Sequence, residues 1–193
     1  LTAFHESGHA VVAFYTPYAH PIHKATIIPR GQALGMVAQL PEKDEFSVSR
    51  AQLLARMDVA MGGRVAEQLI FGEDHVTTGA SSDFEQATAI AKAMVTRYGM
   101  SDRLGTLVIA DDDWDTLSPT TRELIDAEVK RLLEESRERA RHLIHTHRTH
   151  LNKLASALLE YETITREEIE NLFAGRPLRP AEPKPTPNPL DTV

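Results

Sequence analysis

Apolar and polar positions along the chain keep to two periods. Leu1, Ala3, Phe4, Ala10, Val11, Val12, Ala13 and Phe14 surround a short polar run, which predicts a largely buried first helix. The rhythm then changes. Lys24 to Pro29 and Leu34 to Leu40 are β-branched or apolar runs joined by Arg30-Gly31-Gln32-Ala33, the pattern of a hairpin or small sheet. Helical periodicity returns from Ser49 to Phe71 and again from Asp83 to Tyr98, the latter with Ser82 as N-cap, Glu85 closing a capping box and Gly99 as C-cap. Leu104 to Ala110 reads as a short strand. Ser118-Pro119 opens a long helix with Ile125, Val129, Leu132 and Leu133 on one face. A second helical segment runs from about Leu151 to Tyr161, and a third is opened by Thr165 with Glu168 as its capping box. The expected fold is mainly α-helical with a small β-sheet or hairpin. From Gly175 onward six prolines in nineteen residues and few large apolar side chains predict a disordered tail, which leaves residues 1–174 as one domain.

Composition narrows the class without naming it. With 193 residues, 41% of them hydrophobic, the chain can build one substantial core, and no run approaches the ~20 apolar residues of a membrane span. A net charge of -7 argues against nucleic acid as a partner. Cysteine is absent, so a disulfide, a thiolate metal site and a thiol nucleophile are all excluded. Leu1 stands four positions before the first candidate ligand with no initiator methionine, so the chain reads as a piece of a longer protein. Neither a targeting peptide nor a GxxxxGK[ST] nucleotide loop is visible.

The polar run inside the first helix is His5-Glu6-Ser7-Gly8-His9, an HExxH motif. Residues four apart on a helix share a face, so His5 and His9 can converge on one ion. Glu6 projects near that face, where its carboxylate can take a proton from water activated by the metal. Three polar groups on a buried helix also need a compensating partner, and a metal ion supplies one. The chemistry indicated is zinc-dependent hydrolysis, with Glu6 as general base and no covalent intermediate.

A zinc hydrolase of this kind needs a third protein ligand. The metzincin positions for glycine and histidine hold Val12 and Tyr15, and no acid occurs between His9 and Glu42, so the ligand comes from farther along. Two acids stand out. Asp83 lies where the Gly-containing loop Thr77 to Ser82 runs into a helix, and Glu67 follows the paired glycines of Met61-Gly62-Gly63-Arg64-Val65-Ala66-Glu67. Spacing leaves both open, since Asp83 is equally a first-turn aspartate favoured by the helix dipole and Glu67 equally an exposed helix glutamate.

The run HESGHA, with Ala25-Thr26-Ile27-Ile28-Pro29-Arg30-Gly31, Ala33-Leu34-Gly35, MGGRVAE and TTGASSDF in that order, resembles the peptidase domain of the FtsH family of membrane-anchored AAA+ zinc proteases, over about residues 1 to 175. Within that family it looks most like the mitochondrial i-AAA branch. The resemblance implies His5, His9 and Asp83 as ligands of one Zn2+ per chain, Glu6 as the catalytic base, and Glu67 as a carboxylate that orients a ligand histidine. It also implies a covalently linked ATPase module, which alone would use ATP, and a transmembrane segment, both outside this chain. A homo-hexamer acting on unfolded or membrane proteins follows from it, as does the mitochondrial inner membrane with the peptidase facing the intermembrane space.

Gly35, Met36 and Val37, in the second β run, are candidate substrate-binding positions, because an exposed strand edge pairs with an extended polypeptide through main-chain hydrogen bonds. A purely structural hairpin packed on the catalytic helix reads equally well. Two alternatives for the whole chain are a stand-alone zinc peptidase for short peptides and a non-catalytic ring-assembly module. Four carboxylates in Asp111-Asp112-Asp113-Trp114-Asp115 lack the EF-hand glycine and glutamate and read as a solvated loop. His142, His145, His147 and His150 lie among arginines and read as a solvated helix end.

Overall fold

A computed structural model describes residues 1–31, 33–41 and 47–178. Its elements in chain order are α1 (Thr2–Tyr15), β1 (Ile22–Thr26), β2 (Met36–Gln39), α2 (Arg50–Phe71), α3 (Ser81–Thr96), α4 (Pro119–Thr146), α5 (Arg148–Tyr161), β3 (Thr163–Thr165) and α6 (Arg166–Phe173). The expected mainly helical architecture with a small sheet is what forms.

Helix α1 is the centre of the molecule, with ten of its fourteen residues buried. Small residues make this possible. Gly8 lies directly against Gly62 of α2, so the two helix backbones touch where most helix pairs are held apart by side chains. Helix α2 starts from the capping box of Ser49 and Gln52 and buries Leu53, Met57, Val59, Met61 and Val65. Its second neighbour is α4, joined to it by Asp58, whose buried carboxylate accepts hydrogen bonds from Ser136 Oγ at 2.7 Å and from Nε and Nη2 of Arg139, both at 2.8 Å.

The sheet has the order β2-β1-β3, all antiparallel, with Ala25 opposite Val37 on one side and Ile164 on the other. Ile22 and Ala25 of β1 are buried. Because β1 is central, β2 is an edge strand.

Several local expectations are corrected. Helix α3 begins at Ser81, without a side-chain cap, directly after a 3-10 turn at Thr78–Ala80. The Ser82 and Glu85 box does not form, because the helix already includes Ser81 and Ser82, which puts Ser82 inside the first turn rather than at the N-cap. The helix ends at Thr96, and Gly99 at φ 60 turns the chain beyond it. Leu104 to Ala110 is no strand. Leu104 and Ile109 are buried as anchors while Leu107 and Val108 stand exposed, and among the described residues no strand offers a ladder beyond the single bridge of Gly105 to Ser101. The acidic stretch is a 3-10 helix, Asp111–Thr116, tied by Asp111 to Arg97 at 2.9 Å.

The histidine cluster divides. His142 and His145 are exposed, but the His147 ring stacks on Tyr15 at 3.5 Å between centroids and His150 Nδ1 shares a hydrogen bond of 2.6 Å with the Tyr15 hydroxyl. Those two therefore pack against the end of α1. Of the expected tail, Gly175–Leu178 follows α6 with the Arg176 amide bonded to Asn171 O, and residues 179–193 lie outside the described residues.

Candidate metal centre

His5 and His9 project from successive turns of α1, their rings 4.7 Å apart and set at 77° to each other. Each ring is fixed from behind. His5 Nδ1 donates to Glu67 Oε1 at 2.7 Å, and His9 Nδ1 donates to the Val59 carbonyl at 2.7 Å. Both acceptors take protons and give none, so in the neutral rings the protons sit on Nδ1 and the Nε2 lone pairs point inward. Those two Nε2 atoms are 3.0 Å apart.

Asp83, in the first turn of α3, completes the cluster with Oδ2 at 3.3 Å from His5 Nε2 and 3.4 Å from His9 Nε2. This Oδ2 is buried and has no hydrogen-bond partner. Three electron-pair donors thus face one point within 4.8 Å of one another, the only such trio among the described residues. Such an arrangement is repulsive unless a positive charge sits between the donors.

The backbone of α2 leaves room for one. A Cβ at Gly63 would lie 2.5 Å from His5 Nε2 and 2.6 Å from His9 Nε2. Two imidazole nitrogens and a carboxylate oxygen, with an open side, form a donor set suited to a catalytic zinc ion. The residues fit the group.

The field at the site agrees. Burial opposes charge on His9, yet Asp83 and Glu6 outweigh it and raise the ring above the usual imidazole range. Burial would raise Asp83 as well, but the facing imidazoles hold its carboxyl far below the usual range. A positive charge is stabilised at this point, and a divalent cation meets that demand more fully than a proton.

Glu6 lies beside the trio and is itself buried. Desolvation pushes its carboxyl above the ordinary range and Asp83 adds to this, while His9 and His5 oppose it. The result suits a group that must accept a proton and then release it. Gly35, just before β2, passes so close that a Cβ there would lie 2.7 Å from Glu6 Cγ and 2.8 Å from Glu6 Oε1. Gly35, Met36 and Val37 all line the cleft that opens over the cluster, a space of about 1020 Å³.

Glu67, left open as an exposed helix glutamate, is completely buried. Its Oε1 takes the His5 proton and its Oε2 accepts from the Thr77 amide at 2.9 Å. Four contributors have no role in the spacing argument: the Val59 carbonyl, Gly63, Arg64 and Thr77. Of these, Gly63 and Arg64 fall within the GGRxxE spacing, which puts the glycines, the arginine and the glutamate within two turns of one helix, while no sequence signal marks Val59 or Thr77.

The Peptidase family M41 model matches residues 1–172. Among curated proteins, the chain is 56% identical over 178 residues to the mouse ATP-dependent zinc metalloprotease YME1L1, which covers 92% of this chain and 25% of that protein. It is 59% identical over 173 residues to the Arabidopsis thaliana ATP-dependent zinc metalloprotease FTSH 11, chloroplastic/mitochondrial, covering 90% and 21%. Against the ATP-dependent zinc metalloprotease FtsH of Rickettsia prowazekii, identity is 51% over 186 residues, covering 92% and 29%. The chain spans about a quarter of the length of these relatives.

Proposed function

Since the chain belongs to peptidase family M41, we propose that it is the zinc-dependent endopeptidase domain of an ATP-dependent, membrane-anchored quality-control protease, with the domain occupying residues 1–174. The observation that carries this reading is the convergence of the His5 and His9 Nε2 lone pairs with the orphaned Asp83 Oδ2 beside buried Glu6. His5, His9 and Asp83 would hold one Zn2+. When bound, the ion supplies Lewis acidity to water and to the scissile carbonyl.

The remaining work belongs to the chain. Glu6 accepts the proton of the attacking water and returns it to the departing amine, and its raised proton affinity suits both transfers. Glu67 holds the His5 proton on Nδ1 so that Nε2 faces inward, and the Val59 carbonyl does the same for His9. The β2 edge, running from Gly35 along the cleft, offers main-chain groups to an extended polypeptide. Such pairing tolerates many sequences and suits unfolded substrates.

The wider assembly is proposed on the strength of the relatives, whose names describe ATP-dependent zinc metalloproteases and of which this chain covers about a quarter. It comprises a covalently linked ATPase module, a membrane anchor and a homo-hexamer acting on unfolded or membrane proteins. The name of FTSH 11, chloroplastic/mitochondrial, supports a mitochondrial location; the inner membrane, with the peptidase in the intermembrane space, is proposed on the resemblance to the i-AAA branch alone. No helix among the described residues is long and apolar enough to cross a membrane.

The test is cleavage of a labelled unfolded polypeptide by the zinc-loaded chain, with and without chelator, beside Glu6→Gln. Cleavage that needs zinc and disappears in Glu6→Gln while the metal is retained is expected. Chelator-insensitive cleavage, or full activity in Glu6→Gln, overturns the reading.

A further inference from the structure

The connection that leads into Asp83 from α2 is largely exposed. Between the end of α2 and the start of α3 the chain forms only two single 3-10 turns, Glu73–His75 and Thr78–Ala80, and Gly72 to His75, Thr78 and Gly79 are exposed, with Ala80 alone buried. Helix α3 itself begins without a side-chain cap. A third ligand delivered by such a segment would be poorly placed unless specific contacts fix it, because each loosely held residue contributes conformational freedom that metal binding must remove.

One side chain reaches both flanks of the ligand. Arg64 Nη2 donates to the Thr77 carbonyl at 2.7 Å, upstream of Asp83, and the guanidinium lies over the ring of Phe84, immediately downstream, at 4.9 Å. Its Nε is buried, without a hydrogen-bond partner, and faces Glu67 Oε2 at 4.0 Å. Thr77 in turn donates its amide to that same Glu67 oxygen, while the other Glu67 oxygen holds His5. The geometry points to Arg64 as a positioning residue that clamps the Thr77 to Phe84 segment onto α2 and so presets Asp83 opposite the imidazole pair.

The clamp needs arginine in particular. A planar fork can donate along its edge to Thr77 and stack by its face on Phe84, whereas the lysine ammonium has neither edge nor face. The inference rests on the zinc reading above, and it adds a residue that touches none of the donor atoms.

The test uses the chain freed of zinc, as wild type, Arg64→Lys, Arg64→Met and Phe84→Leu. Zinc Kd is measured by competition with a chromophoric chelator, and amide hydrogen exchange is followed in the zinc-free proteins. Both Arg64 variants are expected to bind zinc about 10–100-fold more weakly, as for other residues that support metal ligands indirectly. Exchange should quicken across residues 73–84 while α1 and the first half of α2 keep their protection. Unchanged Kd in both variants overturns the clamp. If the Arg64 variants lose protection throughout, Phe84→Leu decides: removal of the stacking face alone should weaken zinc about threefold, and no weakening overturns the proposal. If wild type itself takes up no zinc, the metal reading fails, and exchange alone judges the clamp, which falls if residues 73–84 exchange alike in wild type and Arg64→Met.

Discussion

Gly8 of α1 and Gly62 of α2 meet backbone to backbone: a Cβ on Gly62 would lie 2.6 Å from the Gly8 carbonyl oxygen, 2.8 Å from its carbon and 3.0 Å from His9 Cα. Every atom in the way belongs to main chain, which cannot rotate aside. Gly62→Ala must therefore push α1 and α2 apart. Overpacking of this kind costs about 1–3 kcal/mol, and a matching fall in the thermal unfolding midpoint of the zinc-free protein is expected by calorimetry. An unchanged midpoint would show that the helices are less tightly apposed than this.

The next residue behaves differently. A Cβ on Gly63 would meet imidazole nitrogens, which belong to side chains able to swing away. Gly63→Ala should leave the zinc-free protein folded, with its helical circular dichroism intact, yet abolish zinc uptake because the methyl occupies the space between the donors. Zinc bound at wild-type affinity in this variant would mean that the ion sits elsewhere.

Glu67→Gln separates charge from shape. The amide can accept the His5 proton on its oxygen, but its NH2 then faces the Thr77 N–H, donor against donor. Flipping the amide spares Thr77 and turns the NH2 on His5 Nδ1. Either way one buried hydrogen bond is lost, and zinc affinity measured by chelator competition should fall about 10–100-fold. Affinity within twofold of wild type would assign Glu67 to the core alone.

The outcomes differ in how far they were legible in the sequence. His5, Glu6 and His9 were legible because one helix turn fixes their geometry whatever the rest of the fold does. Asp83 and Glu67 were not decidable by spacing, since the first arrives on a separate helix and the second is buried only because α1 lies across α2. The third strand escaped notice for a similar reason. Thr163–Thr165 is three residues long and is a strand only because β1 has a free side, with Ala25 opposite Ile164. Leu104 to Ala110 failed in the opposite sense, since its composition suits a strand that no partner among the described residues completes. His147 and His150 read as solvated in a basic, polar stretch, and it is the Tyr15 ring arriving from α1 and the Phe173 ring from α6 that give them surfaces to stack on.

Gly35 stands against Glu6 as Gly63 stands against the imidazoles. In Gly35→Ala the new methyl would meet Glu6 Cγ and Oε1 and the Thr26 carbonyl oxygen at 2.9 Å; the Glu6 side chain can rotate away, and the Thr26 contact is relieved by a small shift of the backbone between β1 and β2. The base should move while the three donors stay. The expected result is zinc affinity near wild type with hydrolysis slowed about 10²–10⁴-fold, the range over which a positioned acid–base group contributes. Parallel loss of zinc and of activity would show instead that the variant disturbs the whole centre.

The junction of Tyr15 with His147 and His150 gives the fold a pH dependence whose sign can be worked out. Burial lowers the proton affinity of His150, and the neighbouring His147 and Lys153 lower it further, from the ordinary value of 6.5. The Tyr15 hydroxyl and His150 Nδ1 share a hydrogen bond; with the hydroxyl as donor, neutral Nδ1 is the acceptor and protonation removes it. The folded chain therefore binds this proton less readily than the unfolded chain does. Its contribution to stability is fully present above pH 6.5 and is lost as pH falls through 6.5 toward the lower folded value, below which it levels off. Comparison of wild type with His150→Gln, both in the same metal state, isolates the effect because the two proteins differ at this position alone. The stabilisation of wild type over the variant, read from thermal midpoints, should shrink between about pH 7 and pH 5. A gap that widens on acidification would mean that charged His150 is the form the fold prefers, with its proton shared toward the Tyr15 oxygen.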